Sequence, residues 1–275
     1  INKTILVDVP IIGDCASVLA DMIKVWKETK PRRNRKAHTA WWSNIQKWRK
    51  RNCLRYDKTK SVIKPQYALE RLYELTKDRD TYITTEVGQH QMWAAQFYKF
   101  EEPNRWMTSG GLGTMGYGFP AAIGVQMAHP KSTVIDVAGE ASILMNIQEM
   151  STAIQYRLPV KIFILNNQYM GMVRQWQELL YEGRYAESYT DSLPDFVKLA
   201  EAYGAVGLRA SKPDEVDDVI KEMLGNDRLT IVDVAVDQAE NCFPMIPSGA
   251  AHNEMLLGPK DEAEKPVSEE GMVLV

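Results

Sequence analysis

Three short runs of β-branched and aliphatic residues constrain the fold of this chain more than any other feature. They are TVIDVA at 133–138, VKIFIL at 160–165 and LTIVDVAV at 229–236, and each is largely apolar on both faces. A strand of this kind is stable only when both of its faces are covered, as in parallel sheets. Helix-like patterns separate the runs, which predicts an α/β fold with a parallel sheet covered by helices on both faces.

The same alternation of strand and helix begins at Pro65. Two further strands are predicted at 81–85 and 206–209. The helices are predicted at 65–76, 90–100, 119–127, 147–156, 194–203 and 213–224. Residues 105–108 make a poor buried strand, so none is predicted there.

The chain divides into four segments by composition. Residues 1–29 hold one strand-like run and one helix, too little to bury a core, and we expect them to be the C-terminal end of a truncated central domain. Residues 30–64 form a basic connector, 65–240 the main domain, and 241–275 an irregular arm and a polar tail. The first residue is not Met, so a fragment, a processed product or a trimmed chain is expected.

The basic connector has two interpretations. Between Lys30 and Lys60 the sequence is dense in Lys and Arg, and Asp57 is its only acid. This density is compatible with a nucleic-acid patch, but one apolar stripe runs through it: Trp41, Trp42, Ile45 and Trp48. Lys and Arg total 33 against 36 Asp and Glu, so the positive charge is confined to this segment. We therefore favour an amphipathic helix that packs between domains, with no nucleic-acid partner.

The cysteines and the hydropathy exclude other classes of protein. Cys15, Cys53 and Cys242 are far apart and form no Cys-x-x-Cys or Cys/His cluster, so neither a disulfide scaffold nor a zinc site is expected. A reducing, intracellular setting fits this cysteine usage. No apolar run approaches the roughly 20 residues of a membrane span, and no signal peptide begins the chain, so no membrane partner is expected.

Ligands of parallel sheets bind at the carboxyl ends of the strands, so the loops that follow the strands are the candidate sites. The loop after 81–85 reads EVGQHQMW and leads directly into a helix. Backbone N–H groups at a helix N-terminus favour an anion such as phosphate. An ordinary turn with locally bonded Gln91 and His90 is the alternative.

A glycine-rich loop, SGGLGTMGYG, covers 109–118. Five glycines in ten residues cost conformational entropy, which indicates a close approach of the backbone to a neighbour or a ligand. Gly111, Gly113 and Gly116 fit the dinucleotide pattern GxGxxG, but that pattern is specific only after a buried strand, and none is predicted here. Two interpretations of this loop remain: it leads into a helix that packs tightly against its neighbours, or it forms a glycine-lined binding site for a ring or a phosphate.

Acidic and amide side chains follow two successive strands. Glu140 follows the strand at 133–138, and Asn167 follows the strand at 160–165, 28 positions after Gly139. That gap is one crossover, so the two side chains are expected at adjacent loops. Carboxylate, amide and carbonyl oxygens suit Mg²⁺, which also takes oxygens from substrate phosphates. A capping acid followed by an Asn-rich turn is the alternative.

These segments together resemble the acetolactate synthase (acetohydroxyacid synthase) family of thiamine diphosphate enzymes, in its catalytic subunit. The resemblance covers about 65–258, and 2–14 resemble the end of the family's central domain. The segments that carry it are VGQHQMWAAQFY, NRWMTSGGLGTMGYGFPAAIG, MNIQEMSTA, LPVKIFILNNQYMGMVRQW, LPDFVKLAEAYG and PMIPSGAAHNEML. The Gly-acid-small motif departs from the family at one position, because Glu140 stands where the family has Asp.

The resemblance implies a thiamine diphosphate-binding fold in which 65–240 is the pyrophosphate domain, and it assigns roles to individual residues. Five would line the diphosphate: Gly88, Gln89, His90, Ala141 and Ser142. Five would face the rings of the cofactor: Gly113, Met115, Met170, Gly171 and Met172. Three would bind Mg²⁺, the last through its carbonyl: Glu140, Asn167 and Tyr169. Two would border the substrate channel: Trp176 and Ser248.

The resemblance also implies an activity. The family condenses two 2-keto acids, pyruvate with pyruvate or 2-oxobutanoate, with loss of CO₂ in branched-chain amino acid biosynthesis. Its catalytic glutamate lies in an N-terminal domain of the partner subunit, so no catalytic residue is expected in this chain, which should be inactive alone. A pyruvate oxidase or glyoxylate carboligase type of enzyme and a non-catalytic cofactor-binding fragment are the alternatives. The segments GMVRQW and MIPSG favour acetolactate synthase.

Partners and location follow from the same resemblance. A homodimer or tetramer formed through the full-length chain, a regulatory small subunit and small 2-keto acids are the expected partners. FAD is expected only of the full-length enzyme. The expected location is the bacterial cytoplasm, and an organellar one stays open.

Overall fold

The computed structural model describes residues 1–3, 5–32, 34–247 and 249–259. The chain divides into two units, Ile1–Asn52 and Cys53–Val275, and the division falls inside the predicted connector.

The first unit consists of two helices, α1 (Cys15–Thr29) and α2 (Arg35–Arg49). Asp14 caps α1 by accepting the Ser17 N–H at 3.0 Å, as expected of an acidic N-cap residue. The helix predicted for the basic connector is therefore present as α2, with Trp41, Trp42 and Trp48 exposed. The strand-like run near the start is not a strand over its described residues, 5–7, where no neighbouring strand pairs with it.

The second unit is built on a sheet of six strands. They are β1 (Thr81–Thr85), β2 (Trp106–Thr108), β3 (Thr133–Ala138), β4 (Lys161–Asn166), β5 (Val206–Ala210) and β6 (Thr230–Ala235). Their order is β2-β1-β3-β4-β6-β5, and every neighbouring pair is parallel. The predicted parallel α/β sheet is confirmed.

Eight α-helices accompany the sheet in the described part of the second unit. They are α3 (Pro65–Thr76), α4 (Gln89–Phe97), α5 (Gly118–Ala128), α6 (Glu140–Ile143), α7 (Met150–Gln155), α8 (Gly171–Leu180), α9 (Phe196–Ala202) and α10 (Val216–Leu224). A 3₁₀ helix, Leu144–Glu149, joins α6 to α7. None of the helices in the described residues is long and apolar enough to cross a bilayer.

Two separate cores cover the two faces of the sheet. Ile135 and Val137 of β3 belong to one core, which α3, α4 and α10 close. Val134 and Ala138 of the same strand belong to the other, which α5, α7 and α9 close. Successive side chains of a strand point to opposite faces, so two-sided burial explains why the central strands have apolar residues on both faces.

The prediction that no strand forms at residues 105–108 is wrong. Residues 106–108 form β2, which pairs only with β1, in the register Ile83 to Trp106. An edge strand needs less apolar burial than a central one, and all three residues are only half-buried. The glycine-rich loop therefore does follow a strand, but that strand lies at the edge of the sheet.

The core of the second unit begins slightly before the predicted boundary at residue 65. Ile63 is fully buried, and its carbonyl accepts the Asp237 N–H at 2.9 Å. The Tyr56 ring meets the Phe97 ring edge-on, with centroids 5.8 Å apart. The last part of the basic connector thus packs as part of the α/β unit.

Candidate functional site

The carboxyl ends of β1, β3 and β4 surround an open cavity, whose empty space together with the solvent at its mouth is about 460 Å³. This is the edge of a parallel sheet at which ligands bind. The cavity is lined by Val87, Gly88, Gln89, His90, Trp93, Met115, Gly139, Glu140, Ala141, Ser142, Leu165, Asn167, Tyr169, Met170, Gly171, Met172 and Val173. The residues predicted to bind the cofactor and the metal all lie here except Gly113.

Two predicted residues lie elsewhere. Gly113 is in the exposed part of the glycine-rich loop, with φ at +64°. Trp176 lies on α8, 53% exposed and away from the cavity wall, so it is not a core residue. Ser248 lies outside the described residues.

The His90 ring lies between two glycines of the site. A Cβ on Gly88 would be 2.8 Å from His90 Cε1, and a Cβ on Gly139 would be 2.7 Å from His90 Nδ1. Gly88 has φ +151°, a conformation that suits glycine. Burial lowers the pKa of His90 to about 3, so the ring is neutral. No described residue pairs with its Nε2, which leaves a polar atom for a ligand in the cavity.

Glu140 is the deepest carboxylate of the site. It begins α6 directly after β3 and is 1% exposed. Its Oε1 has no hydrogen-bond partner within the described part of the chain. Burial raises its pKa to about 7, although backbone N–H groups of Tyr169 and Asn167 partly oppose that shift. A buried, unsatisfied carboxylate oxygen costs free energy unless a ligand or a cation satisfies it.

The donor set around Glu140 fits Mg²⁺. Asn167 Oδ1 accepts the Tyr169 N–H at 3.2 Å, which holds the amide oxygen at the cavity. One carboxylate, one amide and one carbonyl leave positions for water and for phosphate oxygens, as Mg²⁺ prefers. The described residues contain no group of three or more His, Cys, Asp or Glu that could hold a metal, so the amide and the carbonyl are needed.

A chain of buried amides forms the floor of the cavity. Asn167 Nδ2 donates to Gln89 Oε1 at 3.1 Å, and Gln89 Nε2 donates to Gln175 Oε1 at 2.8 Å. Gln175 Oε1 also accepts the Cys242 N–H at 2.8 Å. These contacts tie the start of α4 to α8 and to the C-terminal arm. Sequence reasoning missed Gln175, because its partners are 67 and 86 positions away.

A known family of cofactor-binding domains matches this chain. Residues 86–234, more than half of the chain, match the family described as "Thiamine pyrophosphate enzyme, C-terminal TPP binding domain". The chain therefore belongs to that family. The matched segment runs from the first residue after β1 into β6 and includes the whole cavity lining.

Matches to individual proteins are more specific than the match to the domain family. The chain is 50% identical over 260 residues to the acetolactate synthase isozyme 3 large subunit of Escherichia coli (strain K12), covering 94% of this chain and 45% of the relative. It is 47% identical over 266 residues to the large subunit from Haemophilus influenzae, covering 95% and 46%. It is 43% identical over 261 residues to the mitochondrial catalytic subunit of Saccharomyces cerevisiae, covering 93% and 37%. The chain thus spans less than half the length of these relatives.

Proposed function

We propose that this chain is the cofactor-anchoring C-terminal part of an acetolactate synthase catalytic subunit. The whole enzyme would condense two 2-keto acids, pyruvate with pyruvate or with 2-oxobutanoate, with loss of CO₂. The observation that carries the proposal is the cavity itself, because all but one of the residues assigned to thiamine diphosphate by resemblance line it. The relatives support the proposal along nearly the whole of this chain.

The metal and the diphosphate would be held at the carboxyl ends of β1, β3 and β4. Glu140, Asn167 and the Tyr169 carbonyl would bind Mg²⁺. The N-terminus of α4, which begins after Gly88, offers backbone N–H groups and a positive dipole end to the diphosphate. The neutral His90 ring adds no charge of its own there.

The apolar side of the cavity would exclude water from the reacting atoms. When bound, thiamine diphosphate supplies the electron sink for loss of CO₂ from a keto acid. Met115, Met170 and Met172 line the cavity without introducing a charge. A dry wall of this kind protects a reactive carbon from protonation until the second keto acid arrives.

The rest of the enzyme would come from outside this chain. Leu112 of the glycine-rich loop, Met145 of the 3₁₀ helix and Trp176 of α8 are exposed apolar side chains, as a surface covered by another domain would have. We propose a homodimer or tetramer formed through the full-length chain, a bound FAD, and a regulatory small subunit, as the term "large subunit" in the relatives suggests. We place the protein in the bacterial cytoplasm, with an organelle as the alternative suggested by the yeast relative.

The experiment compares the 275-residue chain with the full-length protein that contains it. Each is incubated with pyruvate, Mg²⁺, thiamine diphosphate and FAD, and acetolactate is measured. We expect acetolactate from the full-length protein and none from the chain alone. Oxidation of pyruvate or condensation of glyoxylate in place of acetolactate formation would assign the alternative enzyme types. Cofactor binding by the full-length protein without any turnover would favour the non-catalytic alternative.

A further inference from the structure

Glu86 is a fully buried carboxylate just behind the cavity wall, and the proposed function gives it no role. Its Oε2 accepts the Gly116 N–H at 2.6 Å and its Oε1 accepts the Phe119 N–H at 3.0 Å. These groups lie on either side of the start of α5, for which the described residues supply no side-chain cap at Tyr117. A carboxylate is favourable at a helix N-terminus. Glu86 therefore caps α5 through Phe119, which lies 33 positions further along the chain.

The Gly116 peptide is held from its other side as well. The Gly116 carbonyl accepts Asn146 Nδ2 at 2.6 Å. A Cβ on Gly116 would be 2.6 Å from that same nitrogen and 2.9 Å from Met145 Cβ, and Gly116 has φ +88°. Asn146 itself departs from helical geometry, with φ −134° and ψ 33° inside the 3₁₀ helix. Gly116 is thus clamped between Glu86 and Asn146, and Met115, the residue before it, lines the cavity.

The backbone of Glu86 contacts the opposite wall of the site. The Glu86 backbone is close enough to the His90 ring to oppose the fall in the pKa of His90 that burial causes. The Glu86 N–H donates to the Val137 carbonyl at 3.1 Å, which fixes this peptide to β3. One residue therefore joins the wall that carries His90 to the loop that carries Met115.

A second buried acid lies beside Glu86 and helps to assign the charge. Asp136 is fully buried, and its Oδ1 accepts the Thr84 hydroxyl at 3.0 Å, while its Oδ2 has no partner among the residues described. A Cβ on Gly118 would be 2.2 Å from Asp136 Oδ1 and 2.6 Å from the Glu86 nitrogen, so both acids adjoin Gly118. Burial raises the pKa of both acids. The N–H groups that Glu86 accepts favour its charged form, and Asp136 accepts only the Thr84 hydroxyl, so the geometry favours the charge on Glu86.

We propose that Glu86 and Asn146 are positioning residues that set the place of Met115 against the ring half of thiamine diphosphate. This inference rests on the proposed function. Neither residue lines the cavity; both act through the backbone of Gly116. Loss of the contacts between Gly116 and either Glu86 or Asn146 should weaken binding of the cofactor rings. The binding site for the diphosphate, which is built on β3, β4 and α4, should stay intact.

The test measures two ligands on the full-length protein by titration calorimetry with Mg²⁺. One is thiamine diphosphate, and the other is inorganic diphosphate, which has no rings. In Glu86→Gln the side-chain volume is kept, but its NH₂ group must face one of the two N–H donors. We expect the dissociation constant for thiamine diphosphate to rise about tenfold, as for a lost hydrogen bond to a charged group. The constant for inorganic diphosphate should stay close to the wild-type value.

Two further variants keep the result decisive. Asn146→Ala removes the other side of the clamp and should reproduce the same selective loss, even if Glu86→Gln does not fold. Thr76→Val removes a buried hydroxyl that bonds the Leu72 carbonyl and the Tyr98 hydroxyl, and it should lower the melting temperature without changing either affinity.

Equal weakening of the two ligands, or wild-type affinity for both in Glu86→Gln and Asn146→Ala, would overturn the inference. A wild-type protein that binds no thiamine diphosphate at all would instead overturn the proposed function.

Discussion

A Cβ on Gly171 would lie 2.1 Å from Oε1 of Gln89, so the starts of α8 and α4 meet at a point where only a glycine leaves room. The same Cβ would be 3.0 Å from Asn167 Nδ2. This close approach packs the first turn of α8 onto the amide chain under the cavity. The geometry of the proposed metal side of the site therefore depends on the absence of a side chain at Gly171.

Gly171→Ala should displace Gln89 and Asn167 and weaken cofactor binding. We expect a loss of stability of about 1–3 kcal/mol, as for other overpacked positions. Calorimetric melting and thiamine diphosphate titration measure the two effects. The matched control is Gly124→Ala on α5, where the added Cβ meets no described atom within 4 Å and should be neutral or slightly stabilising. Equal behaviour of the two variants would refute this role of Gly171.

Glu140→Asp should strengthen the binding of Mg²⁺ at the proposed cofactor site. Mg²⁺ demands near-octahedral oxygens at about 2.0–2.1 Å, and Glu adds a methylene and a rotor to be ordered. We expect Asp to lower the Mg²⁺ concentration for half-saturation by about tenfold, which corresponds to roughly 1–2 kcal/mol. The Glu140 protein should favour Mn²⁺ or Ca²⁺ relative to Mg²⁺ more than the Asp variant does. Identical metal titrations of the two proteins would mean that neighbouring loops absorb the extra methylene.

His90 predicts a specific dependence of stability on pH. Its pKa is about 3 when folded, against an ordinary value of 6.5. Between these values the unfolded chain binds a proton at His90 that the folded protein does not, so His90 lowers the free energy of unfolding as pH drops from about 6.5 to about 3. The raised pKa of Glu140 acts in the opposite direction, so the contribution of His90 is measured by comparison with a variant that lacks it.

The measurement is urea unfolding of the ligand-free protein at pH 7 and pH 4.5. Between pH 7 and pH 4.5 the free energy of unfolding of His90→Gln should fall by about 2 kcal/mol less than that of the wild type. Thr76→Val removes no titratable group, so it should shift both values equally. A wild-type pH slope in His90→Gln would show that His90 does not contribute.

Trp176→Leu should change selectivity more than stability. Trp176 is half-exposed on α8, three residues beyond Val173 on the cavity wall. In the full-length protein we expect an altered preference between pyruvate and 2-oxobutanoate with little change in melting temperature. Trp93→Leu, at a fully buried position, is the contrast and should cost several kcal/mol, about 3 or more. A large drop in melting temperature with unchanged selectivity in Trp176→Leu would contradict the prediction.

Local pattern and the spacing of the crossovers predict much of the fold and of the site. The helix at 65–76 and the strands at 81–85 and 133–138 have the predicted bounds. The 28-residue gap brings Glu140 and Asn167 to one cavity because β3 and β4 are parallel neighbours. Apolar periodicity and strand topology are sufficient for both results.

The remaining features depend on contacts between distant parts of the chain. Strand β2 gains its order from pairing with β1, not from its own apolar content. Helix α8 begins with a glycine, a poor helix former, and packs through Gln175 onto the arm. The sequence around Glu86 indicates only an ordinary acidic residue in a loop, and the fold brings it to the start of α5. No local pattern encodes such partners.

Binding of thiamine diphosphate to full-length wild type and Glu140→Ala, each with Mg²⁺ and with EDTA, decides whether this cavity holds the cofactor. We predict saturable, Mg²⁺-dependent binding by the wild type, which Trp93 in the cavity should report through its fluorescence. Glu140→Ala should bind about a hundredfold more weakly and lose the effect of Mg²⁺. Wild-type affinity and metal dependence in Glu140→Ala would contradict the assignment of this cavity as the cofactor site.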